Sequence, residues 1–301
     1  MRFKAICLII GSWLTVNNCL ALEICGDIKQ GELILLKSAR NVVFYDNTQI
    51  ADFVAAEQNI KSKTECMVAS DGQALLALPR NAAKKSLIAD YPGTDYGTIY
   101  EIDIAPSKWD IQHIKGVAQH KVTPYKRHEK EISRELNDVR KALSKESNEE
   151  FWREGFTMPV NGRISGNFGN QRIYNGIPKN PHSGTDIAAP EGTPVKASGS
   201  GKVVLSGKNY FYTGNMVIIS HGQSLYTIYA HLKEATVKDG DIVKKGDIIG
   251  YVGKTGRATG AHLHWGAVAG GVRFRPQSLL DINEKKCRHF DGVYIGSLVE
   301  D

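Results

Sequence analysis

The chain has 301 residues, of which 42% are hydrophobic and 23% are charged, a composition typical of a globular protein with buried cores. Its length exceeds that of a typical single domain, so we expect two folded units. The net charge of +6 at pH 7 suits a location near an anionic polymer such as a cell wall. The lysines lack the interleaved aromatic residues of a stacking platform, so no nucleic-acid partner is expected.

The first 21 residues have the pattern of a secretory signal peptide. Two basic residues precede the apolar stretch Ala5–Val16, and Cys19–Ala21 supplies small residues at the cleavage positions. The apolar stretch is shorter than the roughly 20 residues of a membrane span, so a retained anchor is the weaker alternative. Asn17–Asn18 also disfavours a lipoprotein signal. We therefore expect export across the inner membrane to the periplasm, with no stable membrane anchor after cleavage.

Cleavage would leave three cysteines in an oxidising compartment. Cys25 and Cys66 both lie in the amino-terminal region and would close a loop of reasonable length, whereas Cys287 is alone near the carboxyl end. We predict a Cys25–Cys66 disulfide, with three unpaired thiols as the alternative.

Residues 22–105 predict a small β-sandwich-like module. Short apolar runs such as Glu32–Leu36, Asn41–Tyr45 and Gln73–Leu78 alternate with turn-forming residues. The module contains no cluster of metal ligands or nucleophiles, so we expect a structural, targeting or inhibitory role.

Residues 106–155 predict a linker with a helix. The stretch 126–152 carries charges of both signs and has apolar residues at helical spacing, namely Ile132, Leu136, Val139 and Leu143. A helix that connects two domains is the plain interpretation, and a helix that binds a partner is the alternative.

Residues 156–283 predict a second, mostly β domain, followed by a carboxy-terminal extension at 284–301. Glycine is dense, and β-branched runs such as Asn215–Ser220 recur between turns. The segment Asp239–Gly250 predicts two strand-like pieces paired about a tight turn, as in biotinyl and lipoyl carriers. No lysine sits at the exposed turn in the manner of these carriers, so we discount a carrier function.

Three segments of the second domain combine histidines with a carboxylate. They contain the pair His182 and Asp186, the single His231, and the pair His262 and His264. Zinc binds imidazole nitrogen and carboxylate oxygen, and a catalytic site uses three protein ligands and leaves one position open. Either pair alone is weak evidence, but together with His231 in a glycine-rich β domain they predict a metal site.

The local sequence also predicts how each pair is presented. We expect His182 and Asp186 in a loop, with Gly184 between them allowing the chain to curl around one ion. His262 and His264 are two residues apart in a predicted strand, so both side chains should point to the same face.

Residues from about Pro159 to Asp281 resemble the M23 peptidases, the zinc endopeptidases of the lysostaphin and LytM type. The matching pieces are Gly162–Gly169 with Arg172, His182–Pro190, Gly192–Val195, Tyr229–Leu232, Val243–Asp247 and Gly256–His264. The resemblance implies an antiparallel β peptidase domain with a Zn²⁺ cofactor. It assigns zinc binding to His182, Asp186 and His264, and catalysis without zinc ligation to His231 and His262.

This division of roles is chemically consistent. Zinc bound to two neutral imidazoles and one carboxylate keeps a positive charge, activates water and polarises the scissile carbonyl. Two further histidines can take the proton and stabilise the oxyanion, and we treat them as a unit. The chain departs from the family at Gly266, where relatives often have an acidic residue, and in the loop 171–180, which only a subset shares. Such a ligand set also tolerates other divalent metals.

The resemblance implies an endopeptidase that cleaves peptidoglycan cross-links, and we favour the D-alanyl–diaminopimelate bond. A zinc-binding but non-cleaving regulator of wall hydrolases is the alternative, and a structural envelope protein is a third possibility. The partner would be peptidoglycan, and any regulatory protein is unknown. If the amino-terminal module shields the groove, a shortened chain that starts near Phe151 should cut faster than the longer chain.

Overall fold

The computed structural model describes residues 21–46, 48, 63–90 and 97–295. The predicted signal peptide lies outside the described residues except for its last position, so it stays a prediction. Strands dominate the described chain and confirm the mainly β fold class. Within the described residues, no helix has the length and apolar composition needed to cross a membrane.

The amino-terminal module, residues 22–105, consists of two antiparallel sheets. Its described strands are β1 (Leu22–Cys25), β2 (Leu33–Lys37), β3 (Val42–Tyr45), β4 (Lys63–Cys66), β5 (Ala74–Ala77), β6 (Lys85–Asp90) and β7 (Gly97–Asp103). Strands β1, β2 and β5 belong to one sheet, and β7, β6, β3 and β4 belong to the other. Apolar side chains from both sheets meet in one core, as expected for a small sandwich.

The linker folds against the second domain. It contains strand β8 (Ile111–Ile114), helices α1 (Gln119–Val122) and α2 (Glu129–Leu143), and 3-10 turns at Lys126–His128 and Phe151–Glu154. Helix α2 is shorter than the predicted span 126–152. Its carboxyl half packs on the large sheet of the second domain through Val139, Ala142 and Leu143.

The predicted apolar face of α2 is buried only in part. Leu136 is exposed, whereas Glu135 is buried and its carboxylate accepts a hydrogen bond from the Phe211 N–H at 2.8 Å. A buried carboxylate is tolerated because it satisfies a backbone donor, a contact that apolar periodicity does not report.

The second domain, residues 156–283, is organised around one large antiparallel sheet. Its strands are β9 (Arg163–Gly166), β10 (Gln171–Tyr174), β11 (Ile177–Pro178), β12 (Thr185–Ala188), β13 (Pro194–Lys196), β14 (Gly201–Tyr210), β15 (Gly214–Ser220), β16 (Leu225–Leu232), β17 (Glu234–Ala235), β18 (Ile242–Val243), β19 (Ile248–Tyr251), β20 (His262–Ala269) and β21 (Val272–Phe274), and a 3-10 turn follows at Pro276–Leu279. The large sheet has the order β18-β14-β15-β16-β20-β12-β9, with β21 paired to β20. Strand β20 therefore lies in the interior of the sheet, between β16 and β12.

The predicted pairing within Asp239–Gly250 is wrong. Strand β18 pairs with β14 of the large sheet, whereas β19 pairs with β13 and β17 in a separate small sheet. The tight turn is present, but each piece finds its partner in a more distant segment, which local alternation cannot indicate.

The carboxy-terminal extension returns to the amino-terminal module. Strand β22 (Cys287–Phe290) pairs with β1, and β23 (Val293–Ile295) pairs with β7. Each of the two sheets of the module is therefore extended by a strand from the other end of the described chain.

Cys25 forms a disulfide with Cys287, so the predicted Cys25–Cys66 pairing is wrong. The two bonded cysteines are directly opposite each other in β1 and β22, with their Cα atoms 3.9 Å apart. Cys66 lies in β4 of the other sheet as a buried free thiol, and burial raises its pKa to about 12. The correct partner is missed because it follows the whole second domain in sequence.

Strand β2 joins the module to the second domain. Ile34 and Leu36 point into the module core, whereas Leu33 and Leu35 belong to the core of the second domain. Successive strand side chains point to opposite faces, so this apolar run lies between two cores. The shared core argues against faster cleavage by a shortened chain that starts near Phe151, because such a chain would expose apolar side chains that β2 covers.

Candidate metal and catalytic site

Two neighbouring strands bring the predicted ligands together. Asp186 in β12 is directly opposite His264 in β20, and Ala188 is opposite His262. The structure thus places Asp186 in a strand rather than in the predicted loop, and only His182 lies in the preceding loop. Two of the predicted ligands are therefore fixed by backbone pairing in the interior of the sheet.

Gly184 is needed for close approach rather than for a curled backbone. Its φ is outside the left-handed region, but a Cβ there would lie 2.4 Å from the Trp265 carbonyl oxygen and 2.8 Å from His264 Nε2. Any larger residue would push the His264 ring out of position, so the predicted reason for this glycine is wrong.

The three predicted ligands converge on one point. Asp186 Oδ1 lies 3.0 Å from His182 Nε2 and 2.9 Å from His264 Nδ1, and the two nitrogens are 3.0 Å apart. His182 Nδ1 lies 2.9 Å from the Asn167 carbonyl oxygen, which can only accept, so in the neutral ring Nδ1 carries the proton. Nε2 then turns a lone pair toward the carboxylate. Facing lone pairs of this kind fit a cation between them, and the ligand types fit zinc.

Burial and the contacts within the cluster favour a neutral His264 imidazole and an ionised Asp186 carboxylate. Burial lowers the pKa of His264 to about 4, so this imidazole is neutral at physiological pH. Burial alone would raise the pKa of Asp186, but the contacts with His182 and His264 outweigh it and hold that pKa well below the usual value. The cluster thus presents an ionised Asp186 carboxylate beside a neutral His264 imidazole.

Arg172 holds the second oxygen of the carboxylate. Its Nη2 donates to Asp186 Oδ2, while its Nη1 donates to the Tyr174 hydroxyl at 3.0 Å and its Nε to Gln112 Oε1 at 3.3 Å. Oδ1 is left to face the histidines. The motif match included Arg172 but not this role, and the period-two spacing of Arg172 and Tyr174 in a strand was the available signal.

His231 and His262 lie beside the ligand cluster. Their ring centroids are 4.8 Å apart, and His262 Nε2 lies 3.8 Å from Asp186 Oδ1. In each ring Nδ1 faces a carbonyl oxygen at 2.9 Å, from Thr255 for His231 and from Gly260 for His262. In the neutral rings Nδ1 therefore donates, and Nε2 is free to accept a proton or a hydrogen bond.

The backbone of His231 is strained. Its φ of 63° lies in the left-handed region, which residues with a side chain seldom adopt. Burial, and then the neighbouring His262 and His264, lower its pKa to about 3, so the ring is neutral at physiological pH. Strained residues that the surrounding structure holds in place occur often at functional sites.

A family comparison agrees with this geometry. Residues 180–276 match the family model described as Peptidase family M23. These residues form an M23 peptidase domain. Peptidoglycan DD-endopeptidase ShyA of Vibrio cholerae is 46% identical over 123 residues, which are 40% of this chain and 27% of ShyA. DD-carboxypeptidase/endopeptidase Mpg of Neisseria meningitidis is 45% identical over 98 residues, 33% of this chain and 22% of Mpg.

These alignments cover about a quarter of the length of the curated relatives. A crystal structure of a putative peptidase M23 from Pseudomonas aeruginosa superposes with a TM-score of 0.56 at 23% identity, and the alignment covers 84% of this chain and 94% of that one. The likeness in fold therefore extends beyond the M23 domain, residues 156–283, into the preceding residues.

An open cavity of about 240 Å³ lies next to the ligand cluster of the M23 domain. Asp186 and His262 line it, and the linker strand β8 contributes Gln112 and Ile114. Strand β8 reaches this position because it pairs in parallel with β10. Tyr174 also lines the cavity, whereas the Asn175 side chain binds the Val117 carbonyl at 2.6 Å and supports a turn.

The departure at Gly266 has a local consequence. Gly266 follows His264 by two residues in β20, so both residues face the same side of the strand. A Cβ at Gly266 would lie 3.7 Å from His264 Nε2. Among the described residues, this nitrogen has no hydrogen-bond partner, so the ring of the predicted ligand His264 lacks a support on this side.

Proposed function

We propose that this protein is a zinc-dependent endopeptidase that hydrolyses the peptide cross-links of bacterial peptidoglycan. The observation that carries the proposal is the convergence of His182 Nε2, His264 Nδ1 and Asp186 Oδ1, with two further histidines beside them. A purely structural polar cluster would place a donor against each acceptor. The named activities of ShyA and Mpg support peptidoglycan as the substrate.

In this mechanism His182, Asp186 and His264 would hold the ion. A zinc ion held there would supply Lewis-acid chemistry, polarising the scissile carbonyl and making water acidic enough to attack at neutral pH. The residues around it supply the rest. Arg172 fixes the Asp186 carboxylate, and Asn167 fixes the tautomer of His182.

His231 and His262 would act as a pair on the substrate side. Their free Nε2 atoms can take the proton of the attacking water and hydrogen-bond the oxygen that becomes negatively charged. The proton then passes to the departing amine, which completes hydrolysis of the amide. The carbonyl partners of both Nδ1 atoms keep the rings in the tautomer in which Nε2 can accept the proton of water.

We propose the D-alanyl–diaminopimelate bond as the cleaved bond and the periplasm as the location. Names of relatives that include DD-endopeptidase support the first, and the predicted signal peptide supports the second. The test is digestion of diaminopimelate-type peptidoglycan with and without a chelator, with products identified by mass spectrometry. Loss of cross-linked dimers that the chelator blocks is the expected result. Intact dimers with zinc bound would favour the non-cleaving regulator.

A further inference from the structure

A cation without an acidic partner lies at the wall of the cavity. The guanidinium carbon of Arg257 is 4.7 Å from the centre of the Tyr174 ring and 4.4 Å from the centre of the Tyr212 ring. Its Nη1 makes a long contact of 3.5 Å with the Lys121 carbonyl oxygen. Among the described residues, no carboxylate lies within 4.0 Å of Arg257, which forms no salt bridge.

The other arginine of the cavity is in a different state. Arg172 is paired with Asp186, so its charge is already compensated. The positive charge of Lys121, which lies close to Arg257, is also compensated in part by Glu131 and Glu135. Burial lowers the pKa of Lys121, Glu131 and Glu135 raise it, and the positive charge of Arg257 lowers it further. The charge of Arg257 therefore remains available to a ligand in the cavity.

The two tyrosines hold the guanidinium in a defined orientation. Stacking on Tyr174 and Tyr212 restricts a long side chain that would otherwise lose much rotamer freedom on binding. A planar guanidinium fixed in advance binds a carboxylate through two parallel hydrogen bonds at a reduced entropic cost.

We infer that Arg257 is a specificity-determining residue that binds a carboxylate of the peptide substrate. The inference rests on the proposed function and narrows its substrate class to acidic peptides, as opposed to neutral glycine bridges. Arg257 lines the same cavity as Asp186 and His262, so a peptide bound across the cavity contacts both the reacting centre and the guanidinium. The carboxylate would then lie a short distance from the scissile bond.

The test measures binding rather than cleavage. Calorimetry gives the affinity of the purified protein for an uncross-linked stem tetrapeptide with free diaminopimelate and D-alanine carboxylates, and for the same peptide with these groups converted into amides. We expect the free acid to bind at least about tenfold more tightly, as for a charge-assisted hydrogen bond. Arg257→Gln should remove this preference, and Arg257→Lys should keep part of it.

Arg127 provides a matched control, because its guanidinium carbon lies 5.0 Å from the Tyr125 ring but does not line the cavity. Arg127→Gln should leave the preference unchanged. Equal binding of the acid and the amide by the wild-type protein would overturn the inference, and so would an equal loss of both in Arg257→Gln. Dimer cleavage, scored separately, shows whether the proposed function fails independently of Arg257.

Discussion

Two of the buried polar clusters in the M23 domain differ in their hydrogen bonds. In the cluster of Asp186, His182 and His264, acceptor atoms face one another. In the second cluster, His221 Nδ1 donates to the Ser200 carbonyl at 2.7 Å, and Nε2 lies 2.7 Å from the Thr227 hydroxyl.

The second cluster continues to a consistent end. The Tyr229 hydroxyl lies 3.0 Å from Thr227 Oγ1 and 2.6 Å from Ser198 Oγ, and it accepts from the Ser198 N–H at 2.8 Å. The Thr227 hydroxyl thus lies between His221 and Tyr229, and the Tyr229 hydroxyl lies between Thr227 and Ser198. Each polar side-chain atom of this cluster therefore has a hydrogen-bond partner within the protein, so the cluster is complete as a structural element. In the cluster of His182, Asp186 and His264, a cation held between the facing atoms would satisfy them in the same way.

The largest effect is expected from a substitution within the cluster of His182, Asp186 and His264. His264→Ala removes one of the two imidazoles that face Asp186 and leaves only His182 Nε2 of the predicted ligand nitrogens opposite this carboxylate, so zinc should be lost. Without the ion, cleavage of cross-linked dimers should fall by at least about 10³-fold. Metal content by atomic absorption and dimer cleavage measure the two losses. His289→Ala, at an exposed position in β22, is the control, and full metal content in His264→Ala would contradict the assignment.

The next substitutions test whether His231 and His262 have a role different from that of the predicted zinc ligands. His231→Ala and His262→Ala should each keep bound zinc and lose about 10²- to 10⁴-fold in turnover, because they remove a proton acceptor and not a ligand. The same two measurements apply. Loss of zinc from the His262 variant would move that residue into the ligand set and overturn the division of roles.

The second cluster, which contains His221, should make the folded protein less stable in acid. Burial lowers the pKa of His221 from 6.5 to about 4, so the unfolded chain binds a proton at a pH where the folded chain does not. The contribution of His221 to the free energy of unfolding, roughly 3 kcal/mol, is fully present above pH 6.5 and is lost as the pH falls to about 4. Urea unfolding at both ends of this range, with a chelator present throughout, measures the loss.

His221→Gln isolates the contribution of this residue. Glutamine does not titrate, so the variant should be less stable at neutral pH and should lose less stability on acidification than the wild-type protein. His289→Gln serves as the exposed control and should show the wild-type change. An unchanged acid response in His221→Gln would mean that other groups cause it.

Sequence was informative where chemistry depends on local spacing. The strand that carries His262 and His264 is predictable because period two is a local property, and their register opposite Asp186 follows from the pairing of β20 with β12. Sequence was silent on contacts made across the fold. The partner of Cys25 lies 262 residues away, and the partner of Asp186 Oδ2 is an arginine in another sheet.

The module is less separate than its sequence indicates, for the same reason. Its apolar run in β2 predicts a strand correctly, but only the fold reveals that one face of that strand, with Leu33 and Leu35, belongs to the core of the M23 domain. The strand β8 of the linker likewise lines the cavity through Gln112, although nothing in its composition marks it as part of a site.

The smallest expected effect concerns the unpartnered nitrogen of His264. A glutamate at Gly266 would face the same side as His264 and could accept a hydrogen bond from its Nε2. Gly266 has no left-handed φ, and a Cβ would lie 3.4 Å from Ile228 Cβ, so the site can accommodate a side chain with small shifts. Partners of this kind change metal affinity by about 10- to 100-fold, and we expect Gly266→Glu to tighten zinc binding by about tenfold. Competition with a chelator measures the change, and Gly266→Ala separates the added carboxylate from the added Cβ. If both variants bound zinc equally tightly, the missing hydrogen bond would have no influence on the ligand cluster, and Gly184 and the pairing of β20 with β12 would alone hold the His264 ring in place.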